Sequence, residues 1–128
     1  MGVSAFHTNY QRGLAPLLIL SLLKREDMYG YQLVQETERV TKGKITTQEG
    51  SLYPVLYKLE ERGFVSSKKV LVGKRMTRVY YHIEPSGLEY LDALIEEYET
   101  VTAGMFLVIH GKECEEDAEY SFPIKVLQ

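Results

Sequence analysis

Residues 46–64 read Thr46-Thr47-Gln48-Glu49-Gly50-Ser51-Leu52-Tyr53-Pro54-Val55-Leu56-Tyr57-Lys58-Leu59-Glu60-Glu61-Arg62-Gly63-Phe64. Leu52, Val55, Leu56 and Leu59 recur at helical spacing and share one apolar face. The opposite face carries Thr47, Gly50, Ser51, Pro54, Tyr57 and Lys58, with Tyr53 on its flank. That face is small, hydroxylated and singly charged, so it can lie close against a polar surface without burying a carboxylate. Thr46 and Glu49 stand at capping-box spacing, a start that leaves Pro54 in the helix interior and removes one backbone hydrogen bond. A start at Ser51 would instead put Pro54 in the first turn, where proline is at home. Both starts stay open on sequence. Gly63 closes the helix, a role glycine fills because it tolerates positive φ.

Moving outward, Phe64 to Val72 and Met76 to Ile83 read as paired strands. Val79, Tyr81 and Ile83 alternate with Arg78, Tyr80 and His82, the period of a half-buried strand. Gly73-Lys74-Arg75 is the hairpin tip. Upstream, Gly13 to Lys24 is apolar nearly all round and reads as a core helix. Residues 1–12 form either an arm or the beginning of that helix. Asp27 is a candidate cap for a second helix from Met28 to about Val40, with Leu33, Val34, Thr37 and Val40 as its inner stripe. Thr41-Lys42-Gly43-Lys44 ends it, and Ile45 is a candidate short strand. Two helices, a short link and a third helix with one polar face make a helix-turn-helix pattern, and the hairpin after it completes a winged helix.

Charge is segregated along the chain. The whole carries net −3 over 128 residues. Residues 1–41 are neutral, with four bases and four acids. Residues 42–78 hold nine lysines and arginines against three glutamates, net +6. Residues 79–128 hold two lysines against eleven acids, net −9. A basic face joined to an acidic module suits nucleic acid better than the overall charge does. Lys74 and Arg75 at the hairpin tip are placed to follow a phosphate backbone; the same charges would also keep an edge strand soluble.

Ser86 and Glu89 repeat the capping-box spacing after Pro85. From there Leu88, Leu91, Ile95, Tyr98, Thr102, Met105 and Ile109 step by three and four, flanked by Leu94, Val101 and Val108. So long an amphipathic helix lacks an obvious partner within its own chain, and a second copy of the chain is the economical one. Folding back on its own domain is the alternative. Residues 112–128 contain an acidic cluster from Glu113 to Glu119 and an apolar end.

Tyr29-Gly30-Tyr31-Gln32-Leu33, the block Glu49 to Phe64 with its Gly50-Ser51-Leu52-Tyr53-Pro54 core, and Arg78-Val79-Tyr80-Tyr81-His82-Ile83 resemble the PadR family of bacterial transcriptional regulators, in its short-chain branch. The resemblance covers residues 12–111. It implies a winged helix-turn-helix over 1–84, a C-terminal dimerisation helix over 85–111, and repression through palindromic operator DNA, with 112–128 left as an acidic tail outside the pattern. The DNA-binding residues would be Lys44, Thr47, Ser51, Tyr53, Pro54, Tyr57, Lys58, Lys74, Arg75 and Arg78. The dimer interface would be Leu88, Leu91, Leu94, Ile95, Tyr98, Val101, Met105 and Ile109. A small hydrophobic or phenolic effector fits the resemblance, although there is no tryptophan to build the stacking site that some short relatives place at the dimer centre. Ile83-Glu84-Pro85 also stands where the family more often has threonine.

No catalytic constellation emerges. His7, His82 and His110 are scattered, and none belongs to a nucleophile motif. His110 and Cys114 are four apart, too few ligands for a metal site within one chain. The ten tyrosines form no cofactor box, so no enzyme activity, metal or cofactor is expected. The lone Cys114 excludes an intrachain disulfide and fits a reducing cytoplasm. Leu14 to Leu23 is too short to span a bilayer, and no signal peptide is expected. Two functions remain: a homodimeric repressor on double-stranded DNA, and a winged-helix module that binds other proteins. The basic middle segment favours the first.

Overall fold

Buried leucines of the first three helices, Leu20 and Leu23, Leu33, and Leu52, Leu56 and Leu59, meet in one core. The structure, a computed structural model, describes residues 5–111, with side chains from residue 13 onward. The elements are α1 (Ala5–Leu23), β1 (Met28–Tyr29), α2 (Gly30–Val40), α3 (Glu49–Glu61), β2 (Val65–Val72), β3 (Met76–Ile83) and α4 (Pro85–His110). The three strands form one antiparallel sheet in the order β1-β3-β2. The fold is mainly helical with a small sheet, in the element order of a winged helix-turn-helix. It divides into two compact units after Leu91, so the first turns of α4 belong with the head. Among the described residues, no helix is long and apolar enough to cross a membrane.

The core of the first unit is Ile19, Leu20, Leu22 and Leu23 of α1, Met28, Leu33, Leu52, Leu56 and Leu59, then Val65, Tyr81, Ile83 and Leu91. Each leucine taken fully out of water contributes about 1.5–3 kcal/mol. Thr37 is buried among them, and its hydroxyl donates to the Leu33 carbonyl at 2.8 Å, which removes the penalty of an unpaired polar group. Val55 and Val34 are only half-buried and Val40 is exposed. The inner stripe of α2 is therefore narrower than its spacing suggests.

Several local expectations are corrected. Met28 and Tyr29 do not open α2. They form β1, with Met28 opposite Tyr81 and Tyr29 opposite Tyr80. Asp27 is not the helix cap, which is Tyr29; its carboxylate meets His82 Nδ1 at 2.8 Å. Ile45 makes no strand, and its amide donates to the Thr41 hydroxyl at 3.1 Å. Helix α3 starts at neither candidate cap but at Glu49 after Gln48, which makes no side-chain capping bond. Pro54 consequently lies inside the helix, where the missing ladder bond leaves the carbonyl of exposed Gly50 to water. Ser86 lies within α4 rather than before it, and its hydroxyl donates to the Gly63 carbonyl at 2.8 Å. Pro85 takes the first helical position instead, the place where proline costs nothing.

The turns follow the glycines. Gly43, Gly63 and Gly73 have φ of 80°, 80° and 72°, ending α2, ending α3 and opening the hairpin tip. Val72 pairs with Met76 across that tip, so Lys74 and Arg75 stand at its end. Where β2 leaves α3, the rings of Phe64 and Tyr90 stack at 4.2 Å with 8° between planes. The Arg62 guanidinium lies 5.1 Å and 5.4 Å from the two ring centres.

In the second unit α4 continues to His110. Ala103 and Phe106 are buried, whereas Val101, Met105, Leu107, Val108 and Ile109 are exposed. Gly111 ends the helix with φ 73°, donating its amide to the Leu107 carbonyl at 2.7 Å. The acidic cluster, Cys114 and the apolar end lie outside the described residues.

Candidate nucleic-acid interface

Because α3 buries Leu52, Leu56 and Leu59, helical geometry turns the residues between them outward. Gly50, Ser51, Pro54 and Lys58 are all exposed. The surface they make combines two residues of little bulk, a hydroxyl and one cation. Lys44, Lys74 and Arg75 are exposed as well. The Thr47 hydroxyl oxygen is buried and has no hydrogen-bond partner among the described residues.

The tyrosines of α3 do something the spacing did not reveal. Glu49, Tyr53 and Tyr57 follow one another at single-turn intervals and face α2 and β3 across a cleft of about 400 Å3. Tyr29, Tyr31, Thr77, Arg78 and Tyr81 line its other sides. Tyr53 packs so tightly on the start of α2 that a Cβ at Gly30 would lie 2.6 Å from its hydroxyl. That hydroxyl donates to Glu49 Oε2 at 2.6 Å, and the carboxylate together with partial burial pushes the phenol up to about 12. Tyr53 and Tyr57 stack at 6.2 Å, and Tyr57 remains 61% exposed. Arg78 is half-buried, its guanidinium 4.3 Å above the Tyr29 ring, so its charge lies in the cleft and not at the hairpin tip.

The structure thus brings Tyr53, Tyr57 and Arg78 together, and leaves Lys44, Lys74 and Arg75 as separate surface charges. Glu49, Tyr29, Tyr31 and Thr77 line the same cleft, although the sequence assigned them no binding role. The spacing of 49, 53 and 57 was the available signal for the first. Among the described residues, no three His, Cys, Asp or Glu side chains are grouped to hold a metal ion.

Comparison with known proteins decides the lineage. The sequence profile of the transcriptional regulator PadR-like family matches residues 19–93, more than half of the chain. The chain belongs to that family. The family's members are transcriptional regulators, not enzymes. Its matched span runs from the second half of α1 to the first turns of α4, which takes in the cleft and the whole exposed face of α3. A transcriptional regulator from Clostridium thermocellum has a TM-score of 0.69 and 32% identity, over 77% of this chain and 94% of that one. Transcriptional regulator YqjI of Escherichia coli is 28% identical over 92 residues, 72% of this chain. The match covers 42% of YqjI, so the chain spans less than half of that relative's length. Bacillus subtilis PadR, solved in complex with operator DNA, has a TM-score of 0.60 at 22% identity, over 64% of this chain and 46% of that one. At that identity the likeness is one of fold.

Proposed function

We propose that this PadR-like regulator is a repressor that binds palindromic operator DNA as a homodimer, reading it with the exposed face of α3. The carrying observation is that face itself: Gly50, Ser51, Pro54 and Lys58 all stand open to solvent. Gly50 and Pro54 let a helix sit deep in a major groove, while serine and lysine supply donors for base edges. Lys74 and Arg75 at the hairpin tip supply phosphate contacts, as does Lys44 at the turn before α3. The shared fold with a PadR solved on its operator supports the same reading.

The dimer follows from the far part of α4. Val101, Met105, Leu107, Val108 and Ile109 crowd one stretch of helix and are all exposed, a concentration of apolar surface that calls for a partner. Leu94, Ile95 and Tyr98 are half-buried and extend the contact towards the head. Leu91 does not take part, being 1% exposed within a single chain. In this division residues 1–84 and the first turns of α4 are the DNA-binding head, the rest of 85–111 is the dimer helix, and 112–128 is an appended tail. Two recognition helices related by a dyad would stand about one duplex turn apart, roughly 34 Å. The protein works in the cytoplasm, where its operator is. Release by a small hydrophobic or phenolic effector rests on the family resemblance alone.

Fluorescence anisotropy against the chain's own promoter region, at two salt concentrations, tests the reading. Ser51→Ala and Lys58→Ala should each cost about 1–3 kcal/mol on the operator and much less on random duplex. Equal losses on both would mean that α3 only holds phosphates. No loss on either would remove α3 as the reader, and no DNA binding at all would favour a protein-binding module.

A further inference from the structure

Glu49 is a carboxylate in an unexpected place. It is the first residue of α3, it is exposed, and it belongs to the segment of residues 42–78 that carries net +6. Among the described residues no cation stands within ion-pair distance of it. The only side-chain hydrogen bond to its carboxylate among them comes from Tyr53, at Oε2. A carboxylate facing the phosphates of a duplex is repelled by them, so its presence on a DNA-reading helix needs a compensating contact.

Helix-dipole stabilisation explains an acid at a helix N-terminus, but it does not require the side chain to be held in one position. Here it is held. The Tyr53 ring is wedged against Gly30 and stacked on Tyr57, so its hydroxyl is a fixed donor. Clamped through Oε2, the exposed Glu49 keeps Oε1 as a second acceptor. N-terminal residues of a recognition helix are the ones that reach base edges. In the major groove the only donors are the amino groups of cytosine and adenine. Adenine sets an acceptor, N7, beside its amino group, which repels a carboxylate, whereas guanine and thymine offer this oxygen no donor at all. Cytosine is the base that fits.

We propose that Glu49, positioned by Tyr53, accepts a hydrogen bond from a cytosine amino group at one position of each operator half-site, and is a specificity-determining residue of this regulator. This rests on the reading of α3 as the recognition helix.

Enrichment from a random duplex library tests it, using the full chain as wild type, Glu49→Ala, Glu49→Gln and Tyr53→Phe. Wild type should enrich an inverted repeat with cytosine at one position per half-site. Glu49→Ala should lose about five- to tenfold of the preference at that position alone, with binding to random duplex unchanged or tighter. Glu49→Gln keeps the shape of the side chain and should move the preference towards adenine, which an amide can bond through N6 and N7 together. Tyr53→Phe should weaken the cytosine preference without replacing it. Base preferences identical in wild type, Glu49→Ala and Glu49→Gln would overturn the proposal and leave the carboxylate a helix-stabilising role. A wild type that enriches no sequence would overturn it together with the DNA-reading function on which it rests.

Discussion

Gly87, in the first turn of α4, lies so close to the Phe64 carbonyl that a Cβ has no room between them. The same carbonyl accepts the Glu84 amide at 2.9 Å, so it cannot swing aside without losing that bond. Gly104, further along α4, has nothing within 4 Å of where its Cβ would be. Two glycines of one helix should therefore respond to alanine with opposite signs. Gly87→Ala should destabilise the fold by about 2–3 kcal/mol through overpacking against backbone. Gly104→Ala should stabilise it by up to about 1 kcal/mol through helix propensity. Urea unfolding of the two variants beside wild type checks both.

The His82–Asp27 pair ties the loop before β1 to β3, and the Asp27 carboxylate holds the His82 imidazole above its ordinary value of 6.5. A raised pKa in the folded state means that protonation favours folding. The contribution is fully present below about 6.5 and is lost as pH rises through the higher folded value. Both side chains are more than half exposed, so the effect should be small. Thermal unfolding followed from acid to alkaline pH should show it in wild type and a flatter profile in Asp27→Asn. Identical profiles would mean that the pair contributes nothing.

Replacing Lys74 and Arg75 together by alanine should weaken binding about equally on every duplex. The slope of log affinity against log salt should fall by about one to two, close to 0.9 for each phosphate that the hairpin no longer neutralises. An unchanged slope would take the hairpin tip off the DNA.

The two ends of α4 should behave differently when charged. Met105→Glu with Val108→Glu alters residues 52% and 85% exposed, and should give folded monomers in sedimentation analysis. Leu91→Glu places a carboxylate in the core of the head and should lose the folded signal itself, since an unpaired buried charge costs several kcal/mol. Wild type that sediments as a monomer at micromolar concentration would remove the dimer from the reading.

By itself the sequence determined the features that repeat at short range. Leu52, Leu56 and Leu59 recur with the helix, Tyr81 and Ile83 alternate with the strand, and Gly43, Gly63 and Gly73 punctuate, because each depends on its own neighbours along the chain. Together with the Gly50 to Pro54 block, these were enough for fold and family. Tertiary structure decided whatever needed a partner far away in sequence. Met28 and Tyr29 are too short a stretch to show any period, and only the β3 ladder makes them a strand. Asp27 had a helix to cap until His82, 55 residues on, came within 2.8 Å. Leu91 belongs to the same heptad-like stripe as Met105, yet one is in the core and the other in solvent, because periodicity gives the face of a helix and not what covers it. Glu49 had a capping role at hand in Thr46. The Tyr53 hydroxyl took its carboxylate instead, since Gly30 leaves room for the ring to pack on α2 and hold that hydroxyl in place.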